Sequence, residues 1–227
     1  ESQLDVRWYA PDVTKIPKQK NITLNPVNYR YRPRFMYRDV YNFVAFANDW
    51  SLRLRINGHG VRLAYNQLKE NIYEEWLKKD RDPALIPVSE ILPGGQIRFY
   101  PIAHSFNLLV PPGEYAQQHP EYYSLQGGKR IAGDVGSQLC LTNPDIVAIA
   151  KKKILEWIIK YPQIRIFDVS QNDGGGPCQC DKCQALVQEE GSEAGPILRF
   201  VNAIAREVAK KYPDKFISTF AYTYSST

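Results

Sequence analysis

Long apolar runs are missing from this chain. Its apolar stretches are interrupted by charge every few residues, and none approaches the roughly 18–20 consecutive apolar residues that a membrane span requires. No membrane span is expected. The opening Glu1-Ser2-Gln3-Leu4 is no signal peptide, and with no initial Met and an end at Tyr224-Ser225-Ser226-Thr227 the sequence reads as a piece of a longer protein. Its location therefore has to come from other features. Phosphate loops are missing too: no Gly-x-Gly-x-x-Gly and no Walker loop follows any candidate strand, which removes the usual nucleotide sites of open α/β sheets. Neither a Ser-His-Asp order nor a His-Glu-x-x-His is present, so hydrolysis by a nucleophilic serine or a zincin-type metal is not expected.

A surplus of one charge is also slight. Lys and Arg number 29 against 24 acidic residues, a net charge of +5. Arg30, Arg32 and Arg34 around Pro33, and Lys151-Lys152-Lys153 within an amphipathic stretch, read as solvated faces rather than a basic stripe. No nucleic-acid partner is expected. What is present is ordinary globular material, 227 residues with 44% hydrophobic and 23% charged, enough for a sizeable core. Fifteen Tyr and four Trp suit either a sugar-binding cleft or a conventional aromatic core.

The pattern of elements is clearest from Asn143 onward. Asn143-Pro144 is a helix cap followed by a first-turn proline, and Val147, Ala150, Ile154, Trp157 and Tyr161 recur at helical spacing. The helix ends at Tyr161-Pro162, and Ile164 to Ser170 follows as a strand. A Gly- and Cys-rich loop leads to a second helix carrying Ile197, Phe200 or Val201, Ile204 and Val208, which ends at Tyr212-Pro213 and feeds a strand at Phe216 to Ala221. Upstream, strands are expected at Phe35–Arg38, Ile97–Ile102 and Ser137–Leu141, with a helix from Asn48 or Asp49 to Gly58. These define an α/β chain of about five βα units with parallel neighbouring strands in the order 35, 97, 137, 164, 216. Polar groups gather just past the strand ends, at Arg38-Asp39, His104 to Asn107, Gln171-Asn172-Asp173 and Tyr222, where barrel enzymes keep their chemistry. The expected fold is thus a partial (β/α)8, TIM-type barrel.

Two motifs stand out as chemistry. Asn172-Asp173 at a strand end could present an acid beside an amide, as glycosidic cleavage needs; Asn-Asp-Gly-Gly-Gly is equally a good turn. Cys178-Gln179-Cys180-Asp181-Lys182-Cys183 with Cys140, the only other cysteine, allows a four-thiolate zinc site, a disulfide pairing or free thiols. In each case its expected role is to staple the loop after Asp173. His104 reads as a sugar-hydroxyl partner or a satisfied core histidine, Arg38-Asp39 as a hydroxyl clamp or a local ion pair, and His119-Pro120-Glu121-Tyr122 as structural.

Gln138 to Pro144, the run Val169 to Cys183 with its Asn172-Asp173 and Cys178-x-Cys180-x-x-Cys183, Phe200-Val201-Asn202, His104 to Pro111 and His119 to Tyr122 together resemble the bacterial domain-of-unknown-function family 4838 over nearly the whole chain. That resemblance implies a barrel related to glycoside hydrolase family 163, endo-β-N-acetylglucosaminidases acting on complex N-glycans in Bacteroidota, and hence a periplasmic or cell-surface location. It implies Asp173 as general acid beside Asn172, with Arg38, Asp39, His104, Asn107 and Tyr222 lining the sugar site. An N-acetyl substrate could supply its own acetamido oxygen as nucleophile, no catalytic cofactor is expected, and a second carboxylate is expected beyond residue 227. Leu4 to Pro11 resembles the tail of a small α/β domain that precedes such barrels, so that 1–30 reads as linker and 31–227 as the first part of the barrel. The rival class is a non-catalytic carbohydrate-binding or scaffold module.

Overall fold

The computed structural model of the chain describes residues 3–18, 20–28, 33–40, 42, 50, 53–58, 97, 99–133 and 137–226. The chain divides into two compact units, Glu1–Tyr73 with Pro87–Ile97, and Glu74–Ile86 with Arg98–Thr227. In the first, an antiparallel pair β1 (Arg7–Ala10) and β2 (Val13–Lys15) sets Arg7 opposite Lys15 and Trp8 opposite Thr14. Asp5 bridges both cations, at 2.8 Å from Arg7 and 2.7 Å from Lys15. All three side chains are well exposed, so the bridges fix the hairpin ends more than they stabilise the fold.

The second unit carries a parallel sheet of β3 (Phe99–Tyr100), β6 (Ile166–Asp168) and β7 (Phe216–Ser218), in the order β3-β6-β7. Between β3 and β6 the chain forms α1 (Phe106–Leu109), α2 (Pro112–Tyr115), the small hairpin β4 (Leu125–Gln126) and β5 (Lys129–Arg130), and the long helix α3 (Pro144–Lys160). Between β6 and β7 lie α4 (Asp181–Glu190) and α5 (Ala194–Lys211).

The two long helices form for the reasons their sequences announce. The Asn143 side chain accepts a hydrogen bond from the Asp145 amide at 2.9 Å, Pro144 occupies the first turn, and Lys160 sits in the last, where the helix dipole favours a cation. Ile146, Ala150, Ile154, Trp157 and Ile158 are buried, so the apolar stripe includes Ile146, with Val147 only partly covered. In α5, Ile197, Phe200, Val201, Ile204 and Val208 are buried and the helix ends at Tyr212, ahead of Pro213. Aromatic edges hold both helices: Tyr100 of β3 meets Trp157 of α3 at 5.0 Å between centroids, and Phe106 of α1 meets Phe200 of α5 at 5.7 Å.

Three expected strand positions thus carry the parallel sheet, while two do not. Phe35–Arg38 is irregular, because the Asn57 amide group and the Arg38 guanidinium bond the carbonyls of Phe35, Met36 and Arg55 in place of a ladder. Ser137–Leu141 makes a single antiparallel bridge, Tyr123 to Leu139, and β3 pairs with β6 directly instead of with an intervening strand. Of the helix expected from Asn48 or Asp49 to Gly58, residues 48, 49, 51 and 52 lie outside the described residues; Trp50 and Arg53 are helical, with the Leu54 amide on the Trp50 carbonyl at 3.0 Å, and the chain turns at Leu54 and Arg55, ahead of the expected stop at Gly58. The Gly- and Cys-rich loop contains a helix that periodicity did not show, α4, closed by Gly191 at φ 70°, a left-handed C-cap that favours glycine.

This register makes a sharp contrast inside α3. Ile154 is fully buried and Ile159 is 70% exposed. Ile154→Ala should lower unfolding free energy by about 2–5 kcal/mol in urea titration, and Ile159→Ala by no more than about 0.5 kcal/mol; equal effects would mean that the helix presents another face.

Candidate functional site

The site begins where β6 stops. Beyond Ser170, residues Gln171, Asn172 and Asp173 each turn to a different task. Gln171 is buried: its Nε2 donates to the Tyr222 carbonyl at 2.9 Å and the Thr223 hydroxyl at 2.8 Å, while its Oε1 accepts from the Ser225 hydroxyl at 2.6 Å. It thereby fastens the segment leaving β7 to the end of β6. Asn172 fastens the other side. Its Nδ2 donates to the Asn107 Oδ1 at 2.9 Å and the Ser137 carbonyl at 2.7 Å, and its Oδ1 accepts the Asn107 amide at 3.1 Å. The Gln138 side chain bonds both the N–H and the C=O of Asn172, at 3.1 and 2.9 Å. With both amide protons engaged, Asn172 holds the rim together.

Asp173 is exposed, and its Oδ1 accepts the Tyr222 hydroxyl at 3.0 Å. That bond and the carboxylate's charge push the Tyr222 phenol above its ordinary range. The His104 ring lies 5.8 Å from the Tyr222 ring and 5.4 Å from Phe220. Asp173, Tyr222 and His104 are therefore one surface, and Asn107 joins it through Asn172. Arg38 and Asp39 lie in the first unit. There, Arg38 Nε donates to the Arg55 carbonyl at 2.7 Å and Asp39 Oδ2 accepts the Tyr37 hydroxyl at 2.8 Å. His104 and Thr223 both adopt left-handed backbone, at φ 54° and 50°, a conformation that non-glycine residues hold only where the surroundings over-determine it.

Sequence reasoning passed over Asp168. Its side chain is 1% exposed, with Oδ2 accepting the Ser170 hydroxyl at 2.6 Å and Oδ1 the Ser218 hydroxyl at 3.2 Å; the Ser105 hydroxyl bonds it as well. Burial nevertheless pushes it up to about 6, outweighing those bonds and the attraction of His104. A buried acid in Ile166-Phe167-Asp168 could have been suspected only from three serines due to converge on it, which needs the sheet order.

After Asp173 the chain passes Gly174 and Gly176, at φ 112° and 92°, and enters the cysteine cluster. Cys180 caps α4 and Cys183 sits in its first turn, which places both sulfurs on one side of the helix end. The four sulfurs of Cys140, Cys178, Cys180 and Cys183 lie within 4.8 Å of one another and could hold a metal ion. Cys140 Sγ is 3.6 Å from Cys180 Sγ and 4.0 Å from Cys183 Sγ. These are not disulfide separations, which are about 2.05 Å, and all four cysteines are free. Cys140 arrives from the loop before α3, not from a parallel strand. Hydrogen bonding with Cys178, then Cys183, holds the Cys140 thiol well below its usual range, and holds those two above theirs. The Leu125 amide at 3.3 Å and Arg130 Nη1 at 3.8 Å donate to Cys178 Sγ. The Gln126 amide meets the Gly176 carbonyl at 2.9 Å, so the hairpin, the cluster and the loop after Asp173 form one piece.

His119, read as structural, stacks on Tyr122 at 4.6 Å and pairs with Glu121 at 3.1 Å, away from the Asp173 surface in its contacts. No helix among the described residues is long and apolar enough to cross a membrane.

A parallel α/β sheet whose strand ends carry a knitted polar rim and an exposed acid defines the class of this unit. Residues 8–227 match the family described as domain of unknown function DUF4838, and the chain belongs to that family. No curated protein and no solved structure matches the chain.

The raised Asp168 gives a pH signature. Its acidic form is favoured in the folded state, so its contribution to stability is greatest below the unfolded value of 3.8 and is lost as pH rises through about 6. Asp168→Asn should remove this falling limb, which is worth at most about 3 kcal/mol. Urea titrations of both proteins at pH 4.5 and 7 test it; a pH-independent difference between them would contradict the assignment.

Proposed function

We propose that this chain is part of a (β/α)8 glycoside-hydrolase barrel that cleaves O-glycosidic bonds of a glycan, of the endo-β-N-acetylglucosaminidase type, with Asp173 as general acid. One observation carries the reading: Asp173 stands exposed past the end of β6, with its carboxyl oriented by the hydroxyl of Tyr222 from beyond the neighbouring strand. Strand ends of this kind are where barrel enzymes place acids. In the proposed reaction Asp173 gives its proton to the glycosidic oxygen as the bond to the anomeric carbon breaks. An acetamido group on the sugar attacks that carbon from the opposite face. The His104, Phe220 and Tyr222 rings stand 5.4–6.1 Å apart and inclined at 58–71° to one another, an aromatic cluster against which one face of a sugar can pack. Asn172 and Asn107 hold the rim beneath it.

We also propose that the cysteine cluster takes a structural zinc ion. Four sulfurs at about 2.3 Å from one ion stand about 3.8 Å apart in a tetrahedron, and the separations of 3.6 and 4.0 Å fit that figure. A zinc ion there would supply folding energy and neutralise thiolate charge. In the periplasmic or cell-surface setting proposed for the protein, it would also protect the thiols from oxidation.

In a protein that carries the complete barrel, Asp173→Asn should lower release of a complex N-glycan by about 10²-fold or more, with its thermal unfolding unchanged. Unchanged turnover would remove Asp173 as the acid. Binding without any turnover by the unsubstituted protein would favour a carbohydrate-binding module. Elemental analysis of the purified chain should give one zinc per chain, and Cys183→Ser should lose it together with several degrees of melting temperature; a metal-free, equally stable wild type would refute the zinc assignment.

A further inference from the structure

The backbone of His104 is held by a chain of hydrogen bonds that ends on a buried carboxylate. Its N–H donates to Ser170 Oγ at 2.9 Å, and that hydroxyl donates its proton to Asp168 Oδ2 at 2.6 Å. A hydroxyl has one proton. With the carboxylate taking it, the lone pairs of Ser170 Oγ are left to receive His104. The main chain repeats the link: the Ser170 carbonyl accepts the Ser105 and Phe106 amides at 3.1 and 3.2 Å, and the Ser170 amide donates to Ser105 Oγ at 3.0 Å. The left-handed turn at His104 is the result, and it aims the ring nitrogen Nδ1 at the Gln171 carbonyl, 2.9 Å away.

A carbonyl only accepts, so Nδ1 carries the proton in this contact. In the neutral ring, Nε2 then has a free lone pair. It has no protein partner among the described residues and is not among the enclosed unpartnered atoms, so it meets solvent beside the Tyr222 ring. We propose that Asp168 is a positioning residue that, through Ser170, locks His104 as the Nδ1–H tautomer and makes Nε2 a hydrogen-bond acceptor for a hydroxyl or amide N–H of a neutral sugar. The ligand half rests on the glycan-site reading above; the lock does not. An Nε2 lone pair favours donors at this surface and disfavours the carboxylate of an acidic sugar.

The chain has three histidines, which makes a long-range proton–nitrogen spectrum of the labelled protein readable, with His104→Gln assigning the signal. The expected wild-type signal is Nδ1–H with an unprotonated Nε2. Ser170→Ala and Asp168→Asn should both lose the pure signature and show the Nε2–H form, and Ser170→Thr, which keeps the hydroxyl, should restore it. An Nε2–H signal in the wild type, or an unaltered tautomer in a folded Ser170→Ala protein, overturns the lock. Should Asp168→Asn not fold, the Ser170 pair decides alone. Adding N,N′-diacetylchitobiose should then shift the Nε2 resonance, whereas glucuronate should not. Retention of the tautomer with no response to the neutral sugar overturns the ligand half only.

Discussion

Polar atoms buried at the end of a sheet must find partners, and that constraint organises this unit. From Asp168 to Asn172 the chain carries a carboxylate, a hydroxyl and two amides, all nearly inaccessible to water. An unpaired buried polar group costs about 1–3 kcal/mol, so each one enforces a neighbour. Asp168 draws in Ser105, Ser170 and Ser218, Gln171 draws in the Tyr222–Ser225 turn, and Asn172 draws in Asn107, Ser137 and Gln138. Separate stretches of sequence are thereby brought to one rim. Asp173, the next residue, is left free to meet solvent because its neighbours do the holding.

The cysteine cluster extends the same rim by a different chemistry. Gly174 and Gly176 let the chain reverse in conformations closed to other residues, and a segment so rich in glycine gains order only from what it is tied to. Leu125, Gln126 and Arg130 of the hairpin supply amide and guanidinium donors to the Cys178 sulfur and the Gly176 carbonyl. The cluster and the Asp168 carboxylate flank Asp173 in sequence on either side, so the loop bearing it is anchored at both ends.

Much of this was legible in the sequence. The helices at Pro144–Lys160 and Ala194–Lys211 follow from their periodicity and their Tyr-Pro stops, and the parallel strands near Ile97, Ile164 and Phe216 follow from the alternation of elements. The gathering of the four cysteines was legible from their number and spacing, although Cys140 reaches the cluster from the loop before α3 and not from a strand end. Ser137–Leu141 looked like a strand because it is apolar and short. Its polar members Ser137 and Gln138 are instead turned to Asn172, a pairing between residues 35 and 34 positions apart that no local pattern encodes. Phe35–Arg38 failed for a related reason, since Asn57, 21 positions away, takes the Met36 carbonyl while Arg38 folds back on that of Phe35. Helix α4 was hidden because Cys180 caps it in place of a Ser or Asp. Asp168 was invisible as a site because a single acid in an apolar strand gains meaning only when the serines of two neighbours are placed around it.

The proposed function turns on where a sugar sits relative to Asp173. A crystal structure of the Asp173→Asn protein with an N-acetylglucosamine-containing oligosaccharide bound tests this most directly. The expected result is a glycosidic oxygen within about 2.6–3.2 Å of the substituted side chain at position 173, with a sugar ring against Tyr222 and a hydroxyl or amide N–H on His104 Nε2. A sugar bound elsewhere, or one whose scissile oxygen lies out of reach of position 173, would contradict it.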